Sequence, residues 1–108
     1  QQWAEDDRPR EKLRDKGRTA LSDAELIAIL LGSGTSKQSA VDLARVILQR
    51  CQGSLEQLGK LNINDLVKIK GVGPAKAVTL ISAMELGRRR AQTELEERPV
   101  LRSSQEVY

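Results

Sequence analysis

The 108-residue sequence predicts an all-α fold, a small bundle of about five helices, on three observations. Aliphatic residues recur at i, i+3, i+4 and i+7 through the middle of the chain. Cap-forming residues precede these stretches and glycines follow them. No segment alternates apolar and polar residues as a half-buried strand does. Hydrophobic residues make up 39% of the chain and aromatic ones 2%, with no Phe and only Trp3 and Tyr108. The core must therefore be built from Leu, Ile, Val and Ala, which suits small packed helices. The same composition argues against nucleic-acid modules that stack bases on aromatic platforms.

Each element has its own local reason. Asp7-Arg8-Pro9 is expected to open a short helix that runs to about Lys16 and stops at Gly17. Ser22-Asp23-Ala24-Glu25 has the spacing of a capping box. The helix behind it carries Leu26, Ile27, Ile29, Leu30 and Leu31, is apolar nearly all round, and is expected to be central. Gly32-Ser33-Gly34-Thr35 ends it. A helix from about Lys37 to Arg50 should bury Ala40, Leu43, Ala44, Ile47, Leu48 and Cys51 on one face. Ser54-Leu55-Glu56-Gln57, a second box, opens a short turn to Leu58 and Gly59. Asn62 caps a helix carrying Ile63, Leu66, Val67 and Ile69. The last helix runs from Pro74 to about Ala91 and buries Ala77, Leu80, Ile81 and Met84. Beyond Thr93 the pattern breaks, and Pro99 to Leu101 could be extended.

The organisation that follows is a basic N-terminal segment with a short helix (1–21), a helical domain (22–91), and a linker or tail (92–108). Beginning with Gln1 and ending in Val107-Tyr108, the chain is expected to be part of something longer. One internal echo stands out. Leu26-x-x-Ile29-x-x-Gly32-Ser33-Gly34 resembles Leu66-x-x-Ile69-x-Gly71-Val72-Gly73 with one residue of slippage, which points to a degenerate tandem pair as an alternative to a single unit.

Charge and cysteine content bound the function classes. Net charge is +3, from 18 basic and 15 acidic residues. That is mild, and distribution matters more. Arg8, Arg10, Lys12, Arg14, Lys16 and Arg18 alternate along the N-terminal segment, Arg88-Arg89-Arg90 closes the last helix, and acidic residues gather at Glu5-Asp6-Asp7 and Glu94-Glu96-Glu97. Alternation spreads the N-terminal cations around a helix rather than along one stripe, and cations at a helix end suit its dipole. A lone Cys51 cannot form an internal disulfide, so a cytoplasmic protein is expected. It falls on an apolar face and reads as core. The longest apolar run, Leu26 to Leu31, is too short to cross a bilayer.

Catalysis finds no support in the residues. The chain has no His, which removes the commonest general base and metal ligand. Its carboxylates show no metal-cage spacing, and Cys51 has no base partner. Gly71-Val72-Gly73-Pro74 lacks the Walker spacing and ending, and it follows no strand as a dinucleotide site requires. No metal, cofactor or catalytic residue is therefore assigned.

Phosphate binding is different. Leu66-Val67-Lys68-Ile69-Lys70-Gly71-Val72-Gly73-Pro74-Ala75-Lys76-Ala77 reads as a helix that stops at a Gly-Val-Gly turn and restarts at once. Pro74 suits the first turn of a helix. The free N–H groups there point along the positive end of the dipole and make an anion site. This arrangement resembles the helix-hairpin-helix motif, which grips nucleic-acid backbones without reading sequence. The candidate phosphate-binding residues are Lys70, Gly71, Val72, Gly73, Ala75 and Lys76. A bare Gly-x-Gly would be only a tight turn, but the full pattern through Ala77 and Leu80 is more specific. A second candidate, Gly32, Ser33, Gly34, Thr35 and Lys37, has the same ingredients, with the simpler alternative that Thr35 or Ser36 caps the next helix.

The motifs in order resemble a known family. Arg8-Pro9-Arg10-Glu11-Lys12-Leu13, Leu21 through Thr35, Ile69 through Ala77, and Glu85-Leu86-Gly87-Arg88-Arg89 resemble the N-terminal region of bacterial RadC-type proteins, labelled DNA repair proteins. The resemblance covers nearly the whole chain. It implies a helical domain with a helix-hairpin-helix, followed in full-length members by a JAB/MPN-type metalloprotease-like domain whose zinc ligands would be a His-x-His and a downstream Asp. This chain has none of them and ends where the linker would be. The expected partners are DNA, bound weakly and salt-dependently, and the family's own C-terminal domain, with no membrane. The alternatives are a protein-interaction or dimerisation module and a regulatory cap on that domain.

Overall fold

A computed structural model describes the backbone of residues 2–97 and the side chains of residues 4–97. The expected extended segment at Pro99 to Leu101 lies outside the described residues, as does most of the expected tail. Among the described residues the chain is all-helical: α1 (Gln2–Lys16), a short 3-10 turn (Arg18–Ala20), α2 (Asp23–Leu31), α3 (Ala40–Arg50), α4 (Leu55–Gly59), α5 (Ile63–Val67) and α6 (Pro74–Glu96).

The caps explain most of the boundaries. Ser22 accepts from the Glu25 N–H while the Glu25 carboxylate accepts from the Ser22 N–H, a complete capping box on α2. Asn62 and Asp65 close the same box on α5. Ser54 caps α4 through the Gln57 N–H. Gly73 precedes Pro74 directly and is the N-cap of α6.

Helix α2 is central and packs against α1, α3 and α6. Ile27, Ala28 and Leu31 face inward, whereas Leu26 and Leu30 keep 38% and 36% exposure, so α2 is less fully enclosed than its composition suggests. Leu43 and Ile47 of α3, Leu66 of α5 and Leu80 of α6 are fully buried. Cys51 joins this core at 3% exposure, and burial pushes its thiol pKa up, as expected for a packing residue.

Several boundaries differ from expectation. Helix α1 is not a short helix opened by Asp7-Arg8-Pro9: it begins at Gln2 and runs through Pro9, which is buried. Helix α3 begins at Ala40 rather than near Lys37, because Ser39 accepts from the Asp42 N–H and starts the helix there. Helix α6 passes Ala91 and ends at Glu96. Arg90–Glu94 and Gln92–Glu96 pairs at i, i+4 support its outer turns. Ile81 and Met84 are only partly buried.

The N-terminal helix does more than flank the bundle. The Asp6 side chain, 5% exposed, accepts from the Gly34 N–H at 3.0 Å and the Ala40 N–H at 2.6 Å. Arg10 donates to the Gly32 carbonyl at 3.0 Å, and Lys12 donates to Glu25 at 3.2 Å. Asp6 therefore closes two backbone donors of the α2–α3 connection and places its charge at the positive end of α3.

Two measurements test this packing. Asp6→Ala orphans two donors and is expected to lower unfolding free energy by roughly 2–4 kcal/mol in urea titration, with Asp6→Asn losing less. A loss below roughly 0.5 kcal/mol would show that water replaces the carboxylate. Separately, hydrogen bonds from Arg88 and then Arg89 hold the exposed Glu85 carboxyl down to about 2, from an ordinary value of 4.5. A depressed carboxyl stabilises the fold above its ordinary pKa, and that contribution is lost as pH falls from 4.5 towards 2. Thermal unfolding of Glu85→Gln should therefore fall less steeply with acid across this window than the parent. The difference should shrink in high salt, because the pair is at the surface.

Candidate nucleic-acid interface

Helix α5 ends at Val67, before Ile69, which it was expected to carry, and residues 68–73 turn the chain into α6 at Pro74. Gly71 has φ +98, and a Cβ there would lie 3.1 Å from the Thr35 methyl and 3.2 Å from a Leu43 methyl. Gly71 is thus required twice, for its backbone angle and for the close approach of the turn to α3. The Val72 N–H donates to the Ile69 carbonyl at 3.0 Å, and the Val72 side chain is buried. Val72 therefore anchors the turn from inside.

Gly73 is the opposite case. Its φ is −88, it is exposed, and a Cβ there would meet nothing within 4 Å. The first N–H groups of any helix lack intrahelical acceptors. Here the N–H groups of Gly73, Ala75 and Lys76 have no acceptor among the described residues, and Ala77 is the first to donate back, to the Gly73 carbonyl. The open donors at the start of α6 are thus at 73, 75 and 76. Lys70 is exposed beside them, and Lys76 is half-buried with its ammonium 3.4 Å from the Gly34 carbonyl.

That contact brings the two Gly-x-Gly turns together, although they lie far apart in sequence. The first turn is built differently. Its N–H groups at Gly32, Gly34, Thr35, Lys37 and Gln38 already donate to Ala28, Asp6, Gln38, Thr35 and Thr35 respectively. A Cβ on Gly34 would collide with the Gln38 carbonyl and the Ser39–Ala40 backbone, so the glycine serves close packing. Gly34 is followed by residues 35–39 before α3 begins, whereas Gly73 caps α6 directly. Ser33 and Lys37 are exposed at the rim.

Between the 35–38 turn and the 69–71 turn lies a cleft of about 520 Å³. Lys37, Arg50 and Lys70 stand on its walls with Thr35, Ser36 and Val46, and no carboxylate lines it. Sequence reading missed Arg50, which sits at the last turn of α3 and lacks any motif of its own. It also missed Asp6, which appeared only as one member of an acidic cluster. Elsewhere the arginines are mostly compensated: Arg10, Arg14, Arg45, Arg88, Arg89 and Arg90 each have a carboxylate partner. An apolar groove of about 430 Å³ runs between α4 and α6, where Leu55, Leu61, Ile81 and Met84 are accessible. Among the described residues no group of His, Cys, Asp and Glu could hold a metal ion, and no helix is long and apolar enough to cross a membrane.

The pattern of the UPF0758 N-terminal family matches residues 1–78. This chain belongs to the UPF0758 family. Curated UPF0758 proteins are similar along nearly its whole length, in keeping with the RadC-type resemblance. The Flavobacterium johnsoniae protein is 47% identical over 106 residues, covering 98% of this chain and 46% of the relative. The Porphyromonas gingivalis protein is 46% identical over 108 residues, covering 99% of this chain and 48% of the relative. The chain thus spans about half the length of the UPF0758 relatives it matches. No solved structure matches it.

The two hairpin glycines of this UPF0758 segment should respond differently to the same change. Gly71→Ala forces a positive φ and presses on Thr35 and Leu43, so a loss of roughly 1–3 kcal/mol is expected. Gly73→Ala, in open space at an ordinary φ, should stay within about 1 kcal/mol of the parent. Paired chemical denaturation checks both values. Equal losses would show that the turn is not seated on α3.

Proposed function

We propose that this UPF0758 segment is a DNA-backbone-binding helix-hairpin-helix module with no catalytic step of its own. It would hold phosphates without reading sequence. The observation that carries the reading is the exposed start of α6, where the Gly73, Ala75 and Lys76 N–H groups are open beside Lys70 and Lys76. A phosphate placed there accepts backbone hydrogen bonds, meets the positive end of the helix dipole and is flanked by ammonium groups. Contact with two or three phosphates gives weak binding, with a log–log salt slope of about −2 to −3. Such a module suits tethering of a partner domain, here the half of the relatives that lies outside this chain.

A second reading is a docking module for that remaining half or for another protein. The specific observation in its favour is the apolar groove along α4 and α6. It makes no demand on the hairpin, so hairpin variants separate the two readings.

The discriminating variant is Gly73→Asp. Asp is at least as good an N-cap as Gly, so α6 and the fold should be as stable as in the parent or slightly more so. The same carboxylate occupies the open donors and repels phosphate. Fluorescence anisotropy with a short blunt DNA duplex at low salt is expected to show binding weakened about tenfold or more. Circular dichroism should show an unchanged helical fold. If the parent does not bind at low salt, or Gly73→Asp binds as the parent does, the hairpin is not a phosphate site.

A further inference from the structure

We infer that the cleft between the 35–38 and 69–71 turns takes a phosphate-bearing nucleotide from an unpaired strand, so that this domain prefers a duplex with a single-stranded overhang to a blunt one. The inference rests on the backbone-binding reading and extends it to a separate site. Lys37, Arg50 and Lys70 converge on the cleft, and none has an ion-pair partner among the described residues. Its walls carry no carboxylate. Charge of one sign focused in a concave site selects an anion. Arg50 supplies the planar fork that matches phosphate oxygens.

The polar detail agrees with this ligand. The Thr35 hydroxyl oxygen accepts from the Lys37 and Gln38 N–H groups, so its own proton is left to donate outward. Ser36 stands beside it on the wall. The remaining wall is Gln38, Gly71 and the aliphatic Val46 and Ile69. A volume of about 520 Å³ lies within the range of small-molecule sites and suits one nucleotide.

Shape decides between paired and unpaired strands. A duplex presents its phosphates as a convex ridge with the bases stacked inside. That ridge can reach Gly73, which nothing covers. It cannot place a sugar and base in a recess. An unpaired nucleotide can swing out and do so. Gly71 lines the cleft and lies two positions from Gly73, so one strand can run from the hairpin into the recess.

The test compares anisotropy titrations of a blunt duplex and the same duplex with a short single-stranded overhang, using the parent, Arg50→Gln, Lys37→Gln and Gly73→Asp. Arg50 and Lys37 are exposed, so both substitutions should leave the thermal unfolding midpoint unchanged, and either one suffices for the test. The parent should bind the overhang about fivefold or more tighter than the blunt duplex, and each cleft variant should bring that ratio close to one. Blunt-duplex affinity should stay within about twofold of the parent in the cleft variants, whereas Gly73→Asp should weaken both ligands. A parent that binds both DNAs equally, or cleft variants that keep the preference, would overturn this inference and leave the hairpin reading standing. A parent that binds neither DNA would overturn both.

Discussion

Asp6 satisfies two backbone donors on a segment otherwise too irregular to satisfy them itself, and the geometry of the interface follows from that contact. Residues 32–39 connect α2 to α3 without helix or strand. An irregular, half-buried connection of this kind is costly unless the polar groups it turns inward find partners. Asp6 takes the Gly34 and Ala40 N–H groups, Arg10 donates to the Gly32 carbonyl, and Thr35 and Gln38 close a local turn in which the Thr35 N–H donates to the Gln38 carbonyl and the Thr35 hydroxyl accepts from the Lys37 and Gln38 N–H groups. The connection becomes a rigid wall with α1 on one side. On its other side Thr35 and Leu43 receive the Gly71 turn, and Gly34 offers its carbonyl to Lys76. The N-terminal helix therefore positions the hairpin through the α2–α3 connection.

The same arrangement separates two kinds of glycine and two kinds of cation. Gly34 and Gly71 are consumed by packing, where a side chain has no room, whereas Gly73 faces open space. The arginines of α1 and α6 are largely neutralised by nearby carboxylates, and exposed pairs of that sort contribute little to stability. Lys37, Arg50 and Lys70 lack such partners among the described residues and surround one recess. At Lys70 uncompensated charge thus adjoins the unpaired backbone donors at the start of α6. This coincidence distinguishes the hairpin end of the molecule from its mixed-charge surfaces, such as the shallow one where Glu5, Arg8, Glu11 and Lys16 alternate.

What the sequence disclosed was local. The Ser22 box, the Asn62 cap, the Gly71 turn, Pro74 at the start of α6 and the aliphatic stripe of α3 depend on neighbours a few residues away, and each could be read from spacing, whereas the box expected at Ser54 is a simple cap and the completed second box is at Asn62. The start of α3 could not, because Thr35, Ser36 and Ser39 are all capable caps. The choice fell to Ser39 through contacts to Asp42 and, at long range, Asp6 to Ala40. The role of Asp6 was hidden for the same reason: its partners are main-chain groups, which have no residue signature. Arg50 was equally silent, since only the fold carries the end of α3 to the 69–71 turn. Helix α1 begins at Gln2, ahead of Pro9, because the packing of the buried Pro9 outweighs one lost hydrogen bond. In the first turn the Gly34 position is taken by close packing and the Thr35 hydroxyl oxygen holds the turn, engagements with main-chain groups that the sequence does not display.

The α2–α3 connection is the scaffold, and the start of α6 is the proposed backbone-donor contact surface. An amide NMR titration of the parent with a short blunt DNA duplex at low salt tests that division residue by residue. Progressive shifts are expected for the Gly73, Ala75 and Lys76 amide signals, while those of Gly34, Lys37, Gln38 and Ala40, already hydrogen-bonded within the chain, stay in place. Shifts confined to the amides of the connection, with Gly73 to Lys76 unmoved, would contradict it.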